Sequence, residues 1–432
     1  MSRRPSVSET LQIDPQRRLF RVARSAYNDP AVFEAEMEAL FSRCWLYVGH
    51  DTELAEPNRF INRRVGARSL IFLRDHRSQV RCFLNVCPHR GAQIVRHRSG
   101  SARTFSCIYH GWTFENSGRV LNIREAETYS DEFRSGCNDL VPVPRLEQYR
   151  GFWFVNYDAG ACSLETYLGE ARIYLDLVAD QSELGMKIVG DPQEYSVRAN
   201  WKLLAENSTD ILHVETLHPT YLDLVRTNSA GAIVRGKLTG GGIDLGNGHA
   251  VVEREATYGR PVAQWISLWG EEARVEIERV YQRLVARFGR ATADRIARRS
   301  RNLLIFPNLV INDIMSVTVR TFQPLAADYM EVTVWSLAPQ EEFGTPALSR
   351  RMTNFLEFLG PAGFATPDDI EALESCQRAF AAWREAPWND LSKGFGAATS
   401  EPNDELTQRV FWVEWQKRLL QTRGHPAPAE AR

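Results

Sequence analysis

Two short segments in the first half of the chain each place one cysteine and one histidine beside a glycine. They are Cys87-Pro-His89-Arg-Gly91 and Cys107-Ile-Tyr-His110-Gly111-Trp112. The glycines let the backbone turn tightly next to a bound group, and the proline stiffens the first segment. Around them, residues 45–156 alternate short apolar runs with turn residues. This pattern predicts an all-β module that carries two loops of similar chemistry.

The two loops together supply a Cys₂His₂ set, and two kinds of metal site could use it. Zinc fingers usually take both cysteines from one loop and both histidines from another segment, which differs from the arrangement here. A Rieske [2Fe–2S] cluster has two cysteines on one iron and two histidines on the other, and one pair from each loop meets that requirement. The spacing therefore favours a Rieske cluster, with the following candidate ligands: Cys87, His89, Cys107 and His110.

A second group of candidate metal ligands lies between Asn207 and Pro219. If this segment is helical, Asp210 and His213 are neighbours, so the carboxylate could accept a hydrogen bond from one ring nitrogen while the other binds a metal. His218 would lie about 140° further round an ideal helix. Pro219 is expected to release that residue from helical geometry. The alternative is that both histidines are ordinary residues near a helix end, interacting with its dipole.

Near the C-terminus, Thr366-Pro-Asp368-Asp369 has the features of a helix start. Thr366 is predicted to be the N-cap, with proline at the first helical position. Asp369 then lies where an acidic residue completes a capping box. On this pattern alone, the capping interpretation of Asp369 is favoured over a role as a ligand.

Composition and charge exclude several classes of protein. The 432 residues carry a net charge of −2, which gives no global reason to expect nucleic acid or an anionic membrane as a partner. No run of about 18 apolar residues is present, and no apolar stretch follows the start, so a soluble cytoplasmic protein without a membrane segment is expected. Seven cysteines in a chain of this length do not suggest a disulfide framework. Cys82 and Cys137 are predicted to be buried.

The remaining patterns predict further elements. The first 30 residues are expected to be extended, and the next segment, up to Arg43, is expected to be an amphipathic helix. Residues 226–260 are rich in glycine but lack a phosphate-binding spacing, so they are predicted to form a flexible loop in which His249 has no ligand role. Apolar runs at 303–311, 315–320 and 330–336 predict successive antiparallel strands.

These motifs, in this order, resemble the large α subunit of aromatic-ring-hydroxylating dioxygenases, which are Rieske non-haem iron oxygenases. The resemblance covers roughly residues 35–420. It implies an α+β protein in which an all-β Rieske domain precedes a catalytic domain with a helix-covered antiparallel sheet. The corresponding divisions are 1–44 as an arm and helix on the catalytic domain, 45–156 as the Rieske domain, 157–420 as the catalytic domain and 421–432 as a disordered tail.

The resemblance also assigns roles to individual residues. Besides the four cluster ligands, it makes His213, His218 and Asp369 the ligands of a mononuclear Fe(II). Asp369 is chosen over Asp368 because the family's ligand is the second acid of this pair. Asp210 would be a catalytic carboxylate that bridges the two metal centres, accepting a hydrogen bond from a cluster histidine of an adjacent subunit. Asn207 would lie near the iron, although some family members place this asparagine four residues before the aspartate rather than three.

The activity implied is that of a terminal oxygenase that cis-dihydroxylates an aromatic ring. Segments such as Asp180–Met186 and Ala205–Asn207 are most similar to the branch that acts on aromatic carboxylates such as cumate and benzoate. O₂ would be the co-substrate. The alternatives are monooxygenation or demethylation by the same architecture, and electron transfer by a Rieske protein without catalytic iron.

The resemblance implies partners as well. The chain shows no nicotinamide or flavin motif, so NAD(P)H would act only through a ferredoxin or reductase partner. A head-to-tail trimer is expected, with a small β subunit in an α₃β₃ assembly or without one as α₃.

Overall fold

The computed structural model describes residues 6–228, 239–256 and 259–422. These residues form two compact units. One unit is Phe41–Thr166, and the other combines the described parts of Met1–Leu40 and Tyr167–Arg432. Within the described ranges, no helix is both long and apolar enough to cross a membrane.

The N-terminal segment belongs to the second unit. Its extended residues pair as a hairpin of β1 (Leu11–Asp14) and β2 (Leu19–Ala23), which is followed by α1 (Ser25–Asn28). The predicted amphipathic helix is present as α2 (Pro30–Ala39), and the side chain of Asp29 caps it by accepting a hydrogen bond from a backbone N–H of its first turn. Glu36 anchors this helix, because its buried carboxylate lies 2.6 Å from the Lys202 ammonium of the same unit.

The unit Phe41–Thr166 is almost entirely β, as the short apolar runs between turn residues predict. Its elements are β3 (Leu46–His50), β4 (Arg59–Val65), β5 (Arg68–Arg74), β6 (Val80–Leu84), β7 (Ser99–Ser101), β8 (Thr104–Ser106), β9 (Thr113–Glu115), β10 (Val120–Asn122), α3 (Asp131–Ser135), β11 (Arg145–Tyr149) and β12 (Phe152–Asn156). They form the sheets β6-β5-β4-β7, β10-β9-β8 and β11-β12-β3. Cys82 is buried on β6, as predicted. The same prediction for Cys137 is wrong, because this residue lies exposed in the loop after α3.

The larger unit contains the long strands and most of the helices. Its further elements are α4 (Leu164–Leu168), which spans the boundary, α5 (Ala171–Ala179), β13 (Met186–Val197), α6 (Trp201–Thr209), α7 (Val214–Leu217), α8 (Pro219–Asn228), β14 (Gly240–Asp244), β15 (Ala250–Glu255), α9 (Gly270–Arg298), β16 (Arg299–Ile305), β17 (Leu309–Asp313), β18 (Val317–Ala326), β19 (Tyr329–Pro339), α10 (Pro346–Glu357), α11 (Thr366–Ala379), β20 (Trp388–Asp390) and α12 (Leu406–Thr422). The last helix includes the first two residues of the predicted disordered tail, and the rest of that tail, 423–432, lies outside the described residues.

A seven-stranded antiparallel sheet, β13-β19-β18-β17-β16-β15-β14, organises this unit. Its register pairs Asn302 with Asn312 and Asn312 with Thr318, so these polar side chains share one face. The residues between them, such as Leu303 and Ile311, point to the other face. The polar face packs near α6, because the Asn302 amide donates a hydrogen bond to the Ser208 carbonyl. The α+β class is therefore confirmed.

The glycine-rich segment 226–260 is not the flexible loop that its composition predicts. Gly240–Asp244 and Ala250–Glu255 pair as β14 and β15, because the glycines of an edge strand can pair through their backbone without side-chain packing. Parts of the predicted loop, 229–238 and 257–258, lie outside the described residues. His249 is fully buried: its Nε2–H donates to the Tyr167 carbonyl at 2.8 Å, and its Nδ1 accepts from the Phe306 N–H at 2.9 Å.

This buried histidine makes the stability of the protein depend on pH. Burial lowers the pKa of His249 from 6.5 to about 4, so the folded protein binds the proton less readily than the unfolded chain. The neutral, buried His249 side chain therefore contributes fully to stability above pH 6.5, and this contribution is lost as the pH falls toward 4. Between pH 7 and pH 5 we expect His249 to cost about 2 kcal/mol of unfolding free energy.

The measurement is the urea midpoint of the wild type and of His249→Gln at both pH values. The difference between the two proteins is the informative quantity, because burial raises the pKa of Glu206 to about 7 and that carboxyl changes stability in the opposite direction. Equal pH dependence in both proteins would show that His249 does not titrate in this way.

Candidate metal sites

Three side chains from separate parts of the larger unit come together at one point. They are His213 and His218, which follow α6, and Asp369 of α11; one ligand atom from each lies within 4.8 Å of the others. Asp369 Oδ1 is 3.5 Å from His213 Nε2 and 3.3 Å from His218 Nε2. Two imidazoles and one carboxylate form the donor set of non-haem iron(II) sites, which leave coordination positions open.

The segment that carries the two histidines is not one continuous helix. α6 ends at Thr209, and Asp210 is extended, with φ −83° and ψ 132°. The Oδ1 atom of Asp210 accepts a hydrogen bond from the Leu212 N–H at 2.6 Å, and such a local bond competes with helix formation. His218 is non-helical, as predicted, but Pro219 begins α8 rather than ending the segment. These breaks let the two rings converge, which one ideal helix would prevent.

Asp210 lies beside His213 as predicted, but across a turn. Its Oδ2 is 3.2 Å from His213 Nδ1. The geometry of this approach is not that of a hydrogen bond, since the buried Nδ1 has no hydrogen-bond partner among the described residues. The Asp210 side chain is 33% exposed. The Asp210 carboxylate is therefore close enough to orient the His213 ring, and it is exposed enough to contact a further group.

The capping interpretation of Asp369 is wrong. Ala365 occupies the N-cap position of α11, and no side chain caps this helix. The Thr366 hydroxyl donates instead to the Leu359 carbonyl at 3.0 Å. Asp369 is buried, and its Oδ1 accepts a hydrogen bond from the Asn207 amide at 3.0 Å. Asn207 thus orients the carboxylate toward the two histidines.

Asp368 is a neighbour of the site that the sequence patterns do not single out. Its Oδ2 is 3.3 Å from His218 Nδ1, on the side of the ring away from Asp369. The ring donates a hydrogen bond to this carboxylate, which directs Nε2 into the site. The only sequence signal is the acid directly before Asp369.

The electrostatics of this triad suit a cation. Burial of the ring works to lower the pKa of His218, but the carboxylates of Asp369 and Asp368 outweigh burial and raise the pKa. An imidazole and a carboxylate that together attract a proton also attract a metal ion, which competes with that proton. The donor set therefore fits a divalent metal such as iron(II).

A small cavity of about 60 Å³ opens beside the triad. One part of its lining is apolar and consists of Tyr221, Leu222, Ile314, Met315, Phe358 and Leu359. The Tyr221 and Phe358 rings stack, with centroids 4.5 Å apart. Another part is polar and includes Ser208, Arg254, Asn302, Asn312 and Arg320, and the carboxylates of Asp210 and Asp369 also line the cavity. The cavity thus suits a ligand with an apolar ring and a polar or anionic end.

The two cysteine–histidine loops of the smaller unit have matching backbone geometry. The N–H of Cys87 donates to the Ala92 carbonyl, and that of Cys107 donates to the Trp112 carbonyl, each at 2.8 Å. The glycine of each loop closes the turn by donating back to the cysteine carbonyl and has a positive φ, 77° for Gly91 and 72° for Gly111. A side chain would be strained in this left-handed region. The two loops thus form matching turns, and each turn carries one cysteine and one histidine.

The four predicted cluster ligands converge at these loop tips. The rings of His89 and His110 lie with centroids 4.5 Å apart, and both cysteines are buried. Burial raises the pKa of the Cys87 thiol, and the neighbouring Cys107 raises it further. The Nδ1 atoms of both histidines are buried without a hydrogen-bond partner among the described residues. Two orphaned imidazole nitrogens beside two buried thiols fit a [2Fe–2S] cluster with mixed ligands.

Aromatic residues that the motif analysis did not assign enclose this site. Trp112 is buried and stacks on His89, with an interplanar angle of 4°. Tyr129 places its hydroxyl 3.5 Å from His89 Nε2. Such an apolar shell limits the access of water to a bound cluster, and a hydroxyl near a ligating ring tunes its basicity.

Comparison with known proteins identifies two domain families in the chain. Residues 164–419 match the family described as ring hydroxylating alpha subunit (catalytic domain), and residues 44–146 match the Rieske [2Fe-2S] domain.

Two curated relatives cover most of the chain. Toluate 1,2-dioxygenase subunit alpha of Pseudomonas putida is 33% identical over 90% of this chain and 84% of its own length. The 2-halobenzoate 1,2-dioxygenase large subunit of Burkholderia cepacia is 32% identical over 93% and 86%, respectively. Among solved structures, naphthalene 1,2-dioxygenase from Rhodococcus sp. bound to indole has a TM-score of 0.78, with 27% identity over 93% of this chain and 94% of its own.

Proposed function

The chain belongs to the ring-hydroxylating α-subunit family of Rieske non-haem iron oxygenases, and we propose that it cis-dihydroxylates the ring of an aromatic carboxylate. Its cofactors are a Rieske [2Fe–2S] cluster and a mononuclear iron, and O₂ is the co-substrate. When bound, the cluster supplies electrons one at a time and the iron activates dioxygen. The match to the catalytic domain argues against a protein that only transfers electrons.

The observation that carries this proposal is the convergence of His213, His218 and Asp369. We propose that these three residues bind the mononuclear iron. Support comes from the common approach of both Nε2 atoms to Asp369 Oδ1 and from the side chains that orient them. Asn207 holds Asp369, and Asp368 holds His218. Outer contacts of this kind fix the tautomer and direction of metal ligands.

We propose that Cys87, His89, Cys107 and His110 bind the cluster. The supporting observations are the two matching loop turns and the orphaned Nδ1 atoms of both histidines. We likewise propose the domain limits 45–156 for the Rieske domain and 157–420 for the catalytic domain, with 1–44 packing on the latter.

The proposed substrate class rests on the cavity and on the relatives. The two curated relatives described above are named for toluate and 2-halobenzoate, both aromatic acids. A cavity that is partly apolar and partly lined by arginine and asparagine side chains suits such a molecule. The ring would lie against the apolar residues, and the carboxylate would meet the polar ones.

The proposed partners supply electrons and complete the assembly. A ferredoxin or reductase would pass electrons from NAD(P)H to the cluster, and a small β subunit would join three copies of this chain in an α₃β₃ assembly, with α₃ as the alternative. We also propose a cytoplasmic location, where NAD(P)H is available to a nicotinamide-dependent reductase.

Metal analysis tests the cofactor assignment directly. The purified chain is expected to be brown and to contain about three irons and two acid-labile sulfides per polypeptide, because one two-iron cluster and one mononuclear site require that ratio. Iron by atomic absorption and sulfide by colorimetry give the two numbers. Stoichiometric zinc without sulfide would contradict the whole assignment.

Product analysis tests the reaction. With a surrogate reductase and a panel of benzoate-type acids, the expected product is a cis-dihydrodiol carboxylate that contains both atoms of ¹⁸O₂. A phenol with one labelled oxygen would instead show monooxygenation by the same site, and an unlabelled dealkylated acid released together with formaldehyde would show demethylation.

A further inference from the structure

One arginine in the cavity lies in an environment that differs from that of three other buried arginines in this unit. Arg320 is on β18, two residues after Thr318, so its side chain lies on the polar face of the sheet. It lines the cavity together with the iron-site residues and is only 4% exposed. A guanidinium this deeply buried requires compensation for its lost hydration.

The described part of the chain provides Arg320 with only weak compensation. Its Nη2 donates to the Ser208 hydroxyl at 3.0 Å and to the Asn312 side-chain oxygen at 3.5 Å, and the Tyr195 hydroxyl is a further neutral partner of the guanidinium. Its Nε is buried and has no hydrogen-bond partner, and no ion pair joins Arg320 to a described acid. The contacts of Arg320 are therefore neutral and incomplete.

Three other buried arginines of the same unit are paired with acids, whereas a fourth, Arg409, donates to the backbone carbonyls of Leu391 and Lys393. Arg260 and Arg301 both form ion pairs with Asp313, at 2.5 Å and 2.8 Å. Arg351 lies 2.5 Å from Glu342. Since this fold pairs these cations with acids, the missing anion at Arg320 points to a negatively charged group supplied from outside the chain.

We propose that Arg320 binds the carboxylate of the aromatic acid and thereby sets both the specificity and the pose of the substrate. This inference rests on the proposed function. The apolar residues Tyr221 and Phe358 line the same cavity and would take the ring. With its acid end fixed on the sheet and its ring against these residues, the substrate would present ring carbons beside the triad. Arg320 is a binding and positioning residue in this scheme.

Binding measurements on the purified holoenzyme separate this role from a structural one. Isothermal titration with benzoate and with the neutral isostere benzamide is compared for the wild type, Arg320→Gln and Arg320→Lys. For Arg320→Gln we expect the Kd of benzoate to rise about 100-fold, since truncating one partner of a buried charge pair has effects of that size. The Kd of benzamide should change less than about 3-fold, and Arg320→Lys should recover part of the benzoate affinity.

Kinetics provide a second readout with the same two compounds. In Arg320→Gln the KM of benzoate should rise, while the ratio of dihydroxylation to uncoupled O₂ consumption should fall because the ring is no longer held in one pose. The visible spectrum of the cluster and the iron content, measured first, show that the variant is folded and loaded. If Arg320→Gln does not fold, the titrations with Arg320→Lys decide: an unchanged benzoate Kd in that variant contradicts the proposal.

The outcomes distinguish this inference from the proposed function. If the wild type binds and oxidises neutral arenes but no aromatic acid, the proposed substrate class is wrong and the role of Arg320 falls with it. If the wild type prefers benzoate and Arg320→Gln keeps the same ratio of benzoate to benzamide affinity, only the role of Arg320 is wrong. A loss of that preference in Arg254→Gln but not in Arg320→Gln would overturn the proposal in favour of the other cavity arginine.

Discussion

Replacement of Asp369 by alanine is expected to remove the mononuclear iron and to lower oxygenation by more than about 100-fold. Mutating even a residue that only orients a metal ligand lowers metal affinity or activity about 10- to 100-fold. The visible spectrum of the [2Fe–2S] cluster should remain, because the cluster loops belong to a separate compact unit. The reason for the iron loss is geometric: both histidine Nε2 atoms approach the same Asp369 oxygen, so its removal leaves two ligands without a carboxylate.

Asp368→Asn is the matched control for this variant. Its carboxylate contacts His218 Nδ1 on the far side of the ring, and asparagine keeps an oxygen that can accept the same hydrogen bond. We therefore expect this variant to retain iron and to lose less activity than Asp369→Ala. If Asp369→Ala keeps its iron and activity and loses only thermal stability, Asp369 is not a ligand.

The second large effect is expected at Asp210. In Asp210→Asn, both metal sites should stay filled while turnover is abolished. The carboxylate lies 3.2 Å from His213 Nδ1 and is partly exposed, so it can contact a second imidazole from outside the unit. We propose that this second ring is His110 of an adjacent subunit, as the resemblance to the family implies. A carboxylate that joins two imidazoles holds them at a fixed separation and couples their protonation, which an amide cannot do.

Mixed assemblies test whether the connection crosses between subunits. A chain with Cys107→Ala lacks the cluster, and a chain with Asp369→Ala lacks the iron, so neither is active alone. Co-expression should restore part of the activity, because one subunit supplies the cluster and its neighbour the iron. Verified mixed oligomers that stay inactive would show that electrons move within one chain and that Asp210 only orients His213.

The sequence by itself determined those features that depend on neighbours along the chain. Cys87 and His89 share one tight turn, as do Cys107 and His110, so their spacing alone indicates a site with two ligands from each loop. The short apolar runs between turn residues determined the strands β5 and β6 in the same way, because a strand buried on both faces has a continuous apolar run. The resemblance to ring-hydroxylating α subunits, carried by these motifs, is confirmed.

Only the tertiary structure decided how the second site assembles. Asn207 and Asp369 are 162 residues apart, and their hydrogen bond depends on how α6 and α11 pack in the same unit. The local pattern at Thr366 favoured a cap, which α11 does not form. The buried position of Arg320 likewise follows from strand register, which sets the face it shares with Asn312. Spacing fixes only local neighbours, whereas convergence of distant side chains depends on long-range pairing and packing that no short segment encodes.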